Sequence, residues 1–122
     1  MDPFVPNDNL ADEVNRAIVE GELRGGVDLR DLTVGRRLYI YFRTGYYLLE
    51  RRPDGFFMSE HLFNGKVGFW EGSVKCVVTG SLFHREGSML KTRWVGRGMF
   101  LEFHLSDGPR LTSAEVLEIE ES

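Results

Sequence analysis

From residue 36 onward, apolar and polar side chains alternate one for one, and turn signals interrupt the alternation every eight to twelve residues. A period of two is the signature of half-buried strands, and closely spaced turns tie such strands into antiparallel hairpins. In the first run Leu38, Ile40 and Phe42 alternate with Arg37, Tyr39, Tyr41 and Arg43. Thr44-Gly45 marks a turn, a second run covers 46–52, and Pro53-Asp54-Gly55 marks the next turn. Proline presets one torsion of such a turn and glycine supplies the positive one. A third run covers 56–62. The stretch 63–73 holds three glycines, Gly65, Gly68 and Gly72, and reads as irregular. Strands are expected over Val74–Phe83, with Val74, Cys76, Val78 and Leu82 on one face, and over Met89–Val95. The next is expected to place Met99, Leu101, Phe103 and Leu105 on one face, and a last short strand runs through Val116–Ile119.

Six or seven short strands with tight turns predict a mainly β domain, a small antiparallel barrel or sandwich, and closure into a barrel removes exposed edges. At 122 residues the chain is the size of one domain. Nine Phe and four Tyr add to the strand bias. Within a single domain 1–122, we expect an extended leader at 1–8, a helical segment at 9–26 and the barrel at 34–120. Asn9 suits a helix N-cap, and Leu10, Val14, Ala17 and Ile18 recur at helical spacing, predicting one N-terminal α-helix over about 10–23. Gly25-Gly26 ends it.

Net charge is −4, but it is unevenly spread. Residues 1–30 and 114–122 each carry net −4, and residues 31–113 carry net +4. A basic middle between acidic ends is either a binding surface or a charge neutralised when the ends fold back; the second is the ordinary use of charge. The acidic balance argues against a general nucleic-acid or acidic-membrane binder. Cys76 is the sole cysteine, which rules out an internal disulfide and a cysteine zinc cluster. The first eight residues have neither a basic region nor an apolar stretch, so no signal peptide is expected. No membrane contact is expected, and a cytoplasmic location is.

Val34-Gly35 before the first strand, the run Gly98-Met99-Phe100-Leu101-Glu102-Phe103, and Leu111-Thr112-Ser113 leading to Val116 and Ile119 form a pattern over residues 27–119. In it the chain resembles small, mostly uncharacterised bacterial barrel proteins. The resemblance implies a fold and carries no activity. A cyclic-dinucleotide barrel is excluded, because Arg36-Arg37 and Arg51-Arg52 lack the Arg-x-x-x-Arg spacing and no Asp/Asn-x-Ser-x-x-Gly follows.

Catalytic and metal chemistry find little support. His61, His84 and His104 sit on three different segments with no ligand spacing, so no metal is expected. Glu60-His61 and His104, Ser106 and Asp107 supply acid, base and hydroxyl types, but no Gly-x-Ser-x-Gly elbow is present. Cys76 lies mid-strand among valines, where a thiol is inert. The glycine-rich loop lacks a phosphate-binding signature. Its Phe69 and Trp70 either plug the barrel or face a partner, with plugging preferred.

The strongest binding signal is the strip Arg37, Tyr39, Tyr41, Arg43 on the non-core side of the first strand. Lys91 and Arg93, on the outer side of another strand, extend the set. Alternating cations and rings serve cross-strand pairing, a protein interface or a single-stranded nucleic-acid groove. The reading that follows is a non-catalytic binding or assembly module without cofactor, whose partner is a second copy or another protein. A single-stranded nucleic-acid binder is the alternative.

Overall fold

The computed structural model describes residues 24–122. The expected leader at 1–8 and the expected helix over 10–23 lie outside the described residues. Gly26, expected at the end of the helical segment, instead opens a strand.

The elements in chain order are β1 (Gly26–Asp28), a 3-10 turn (Leu29–Asp31), β2 (Arg37–Tyr41), β3 (Gly45–Arg52), β4 (Gly55–Leu62), β5 (Val74–Leu82), β6 (Leu90–Thr92), β7 (Trp94–Gly96), β8 (Phe100–Leu105), β9 (Arg110–Glu115) and β10 (Glu118–Glu121). All pairings are antiparallel. One sheet runs β10-β2-β3-β4-β5-β8-β9, with β6 also on β5, and β1 and β7 form a second, two-stranded sheet.

The turn chemistry explains the hairpins. Arg52 pairs with Gly55, so Pro53-Asp54 is the two-residue β3–β4 turn, and Gly55 sits at φ 137°. Gly80 answers a different need. The β5–β8 register shifts between Val78 and Gly80, and a Cβ on Gly80 would lie 2.1 Å from the Lys91 carbonyl oxygen. Glycine lets β6 come that close.

The expected closed barrel is not formed by the ladder. The sheet path ends at β10 and β9, and these two strands do not pair with each other. They are successive halves of one extended segment, which cannot form a ladder with itself. Val116 gives its amide to Met99 (2.9 Å), and Leu117 gives its amide to Tyr41 (2.8 Å). The chain therefore passes from the β8 side of the sheet to the β2 side between adjacent residues. The last strand, expected only around 116–119, is in fact this bent pair.

The expected strand Met89–Val95 is also divided. Arg93 has φ 55°, donates its amide to Thr79 and accepts from Leu29 at its carbonyl. Both backbone groups are satisfied outside a β ladder, so β6 stops and β7 turns to β1.

The inward side chains of the strands form one core. Leu38, Ile40, Leu49, Met58, Val95, Leu101 and Val116 are completely buried, with Phe103 almost so. Cys76 and Val78 are buried on one face as expected, but Leu82, expected with them, is turned to the other face because the register shift between Val78 and Gly80 sets Ser81 opposite Leu101. Buried hydroxyls are satisfied: Ser81 donates to the Trp94 carbonyl (2.6 Å), and Ser113 accepts from the Leu101 amide (2.8 Å). Polar groups enclosed this way avoid the cost of an unmet hydrogen bond.

Candidate functional site

The alternation in β2 has the expected phase. Leu38 and Ile40 are buried, while Arg37, Tyr39 and Tyr41 take the opposite face. Pairing carries that face across four strands. Tyr39 lies opposite Leu48 and Tyr41 opposite Tyr46, and Tyr46 lies opposite His61. On the other side Glu118 and Glu120 lie opposite Tyr41 and Tyr39. The outer face of β10-β2-β3-β4 is thus a continuous surface with aromatic residues at its centre.

Tyr46 is the hub. Its ring centroid lies 5.9 Å from Tyr39, 5.6 Å from Tyr41, 4.7 Å from His61 and 6.3 Å from Phe63. These separations fall within the range of attractive ring pairs. Phe63 is 63% exposed, which is unusual for so large an apolar ring beside other rings. The Ser59 hydroxyl and His61 Nε2 are 2.8 Å apart, fixing the imidazole under Tyr46.

Charges of both signs border the rings. Glu50 stands 4.0 Å from Arg37 and 3.5 Å from Arg52, and the Arg52 guanidinium lies 4.2 Å from the Phe57 ring centroid. The Tyr41 hydroxyl donates to Glu120 (3.3 Å). Burial, and then the Glu120 carboxylate, raise the Tyr41 phenol above its ordinary pKa. Arg97 binds Glu118 at 2.6 Å and Arg36 approaches Glu121 at 3.9 Å. The Ile119 amide and Arg97 hold the Glu118 carboxyl below its usual range. The acidic C-terminal residues therefore lie against the basic middle of the chain. Arg43, expected on the strand, is exposed in the turn between β2 and β3, and it has no carboxylate partner among the described residues.

The other expected site residues separate from this surface. Trp70 belongs to the interior: its indole N–H donates to the Met58 carbonyl (3.1 Å), and its ring lies 5.3 Å from Tyr47 and 6.0 Å from Phe103. It covers the part of β4 beyond the β5 pairing, which ends at Met58. Phe69 is 75% exposed, and its amide donates to Glu60. Lys91 packs its ammonium 4.0 Å from the Trp94 ring centroid, and Arg93 stands at the β6–β7 break. Neither is on the β2 strip.

The histidines stay apart. His61 is on the outer face of β4, His84 in the β5–β6 connection, and His104 on β8 with Nδ1 2.9 Å from the Ser106 carbonyl oxygen. Among the described residues no three metal-ligating side chains are grouped. Burial pushes the Cys76 thiol up to about 12, which keeps it protonated and poorly nucleophilic.

Sequence reasoning missed Tyr46, Leu48, His61 and Phe63 as members of the surface. The signal was present in the Thr44-Gly45 turn. A tight hairpin there sets Tyr46 opposite Tyr41, and alternation then carries Leu48 to the same face.

The fold and this surface define a class: a small antiparallel-sheet domain with an exposed aromatic face bordered by paired charges. No family model matches the chain, and none of the curated proteins or solved structures matches it. Among the described residues no helix is long and apolar enough to cross a membrane.

Proposed function

We propose that the chain is a non-catalytic assembly module that associates through the outer face of β10-β2-β3-β4, with a second copy of itself as the partner. The observation that carries this reading is Tyr46 at the centre of four ring contacts on a solvent-facing sheet surface. Tyrosine and arginine are the side chains that dominate binding at protein interfaces. The border favours self-recognition. Among the described residues it carries Arg43 without an acid and Glu120 with only a tyrosine hydroxyl as partner, so a two-fold arrangement can set one against the other. A cytoplasmic location belongs to the same proposal and rests on the chain having one cysteine and so no internal disulfide.

The alternative, single-stranded nucleic acid, is weakened by the carboxylates. Glu50 stands beside both Arg37 and Arg52 and offsets one of their two charges, and Glu118 and Glu120 lie opposite Tyr41 and Tyr39 where a phosphate backbone would meet further carboxylates. Sedimentation velocity over a range of protein concentrations, with and without a labelled single-stranded oligonucleotide, separates the two. The assembly reading expects a concentration-dependent larger species that tolerates salt and ignores the oligonucleotide. A monomer at every concentration that binds the oligonucleotide with a steep salt dependence would overturn it.

A further inference from the structure

The β5 strand has a gap along one edge. Its pairing with β4 ends at Cys76, and its pairing with β6 begins at Gly80. Both neighbours lie on the side away from β8, so among the described residues Val77–Thr79 have no strand beside them there. An open groove of about 810 Å³ occupies this gap, bounded by the segment 29–34, the start of β4 and Arg93. Small-molecule sites measure roughly 300–1,000 Å³.

The groove has an apolar floor and a cationic rim. Leu32, Cys76 and Val78 are buried at its base. Val34 and Val77 form its lips and are 54% and 53% exposed, two of the most exposed aliphatic side chains among the described residues. Four cations from four segments line it, Arg30, Arg51, Lys75 and Arg93, and among the described residues no carboxylate does. In a chain of net charge −4 this is a local inversion of sign. Two of the four are already engaged. Asp28 holds Arg30 at 2.6 Å, and Arg51 lies 5.0 Å from the Phe56 ring centroid. Lys75 and Arg93 are exposed and have no carboxylate partner among the described residues.

We infer that this groove binds an amphiphilic anion: an alkyl body on the floor between Val34 and Val77, and one anionic head held by Lys75 and Arg93. The apolar floor alone would take any alkyl chain. The unpaired cations and the missing carboxylates select the charged one, because an anion there gains charge-assisted hydrogen bonds without displacing an acid. The groove shares no lining residue with the Tyr46 cluster and does not depend on the assembly reading, although the row Glu50, Phe57, Lys75 puts Lys75 and Val77 on the same side of the sheet.

The test uses 1-anilinonaphthalene-8-sulfonate as fluorescent probe, with decanoate, decanol and acetate as competitors. Decanoate carries body and head, decanol the body alone, acetate the head alone. The probe is expected to bind saturably, and decanoate to displace it at a concentration about ten-fold or more below decanol, the worth of one charge-assisted contact. Acetate leaves the probe bound. The double variant Lys75→Gln, Arg93→Gln keeps its melting temperature, loses about ten-fold in decanoate affinity and treats decanol as the parent does. Amide shifts in the unaltered protein provide a second reading that needs no variant. Decanoate should move the Val34 and Val77 amides first. Equal displacement by decanol and decanoate, unchanged decanoate binding in the double variant, or shifts centred on Tyr46 would each overturn the proposal.

Discussion

The Tyr46 ring lies 16° from parallel to the His61 imidazole, with centroids 4.7 Å apart across the β3–β4 ladder. That stack joins the half-buried tyrosines of β2 and β3 to the exposed Phe63 just past β4, so separate rings become one surface. A ring held on both sides loses little entropy when a partner covers it, which is why rigid aromatic residues serve as anchors.

The two aromatics of the glycine-rich loop have opposite fates, and their substitutions should differ accordingly. Trp70→Ala removes the indole from Tyr47 and Phe103 and leaves the Met58 carbonyl without its donor. We expect a loss of about 3 kcal/mol, toward the lower end for a large aromatic because the ring is half-buried. Phe69→Ala should change stability by no more than about 0.5 kcal/mol. Urea denaturation of both variants checks the contrast.

Gly80 is a backbone requirement. Gly80→Ala would set a methyl against the Lys91 carbonyl oxygen at φ 153°. The expected cost exceeds about 1 kcal/mol, the ceiling of what a glycine-to-alanine change can gain where it fits. Thermal denaturation measures it.

Asp28 gives the molecule an acid-sensitive contact. It accepts from the Arg30 side chain (2.6 Å) and the Arg30 amide (2.9 Å) at the 3-10 turn. The Arg30 guanidinium, and then its backbone amide, hold the carboxyl down at about 2. A carboxylate whose pKa is lowered on folding stabilises the native state above its unfolded value near 4. That contribution declines as pH falls from there through about 2. The stability difference between the parent and Asp28→Asn should therefore be constant from neutrality to about pH 5, shrink as pH falls through about 2, and lose its pH-dependent part only below that.

Cys76 should resist alkylation. Its thiol is 4% exposed and burial raises its pKa to about 12. Iodoacetamide at mildly alkaline pH should label it only when denaturant is added.

The strand-rich class, the hairpin turns and the β2 strip were legible because they depend on local pattern. Alternation alone placed Leu38 and Ile40 inward and Tyr39 and Tyr41 outward, and Pro53-Asp54-Gly55 announced its own turn. What was not legible depends on contacts between distant segments. Arg93 reads as one more strand residue until Thr79 and Leu29 claim its backbone. The bend between Val116 and Leu117 exists because Met99 and Tyr41 accept hydrogen bonds from opposite sides. The β5 groove is assembled from the 29–34 segment, β4, β5 and the β6–β7 break, and no window of sequence contains it. Closure failed as an expectation for the same reason: strand number and spacing do not say which strands become neighbours.

The central claim is that the Tyr46 face holds copies of the chain together. Sedimentation equilibrium of the parent beside Tyr46→Thr tests it most directly, since threonine keeps strand preference and removes the hub ring. A central tyrosine at an interface contributes about 2 kcal/mol or more, so the account predicts a folded variant whose self-association is weaker by roughly thirty-fold. Unchanged association in a folded Tyr46→Thr protein, or a parent that stays monomeric at every concentration, would contradict it.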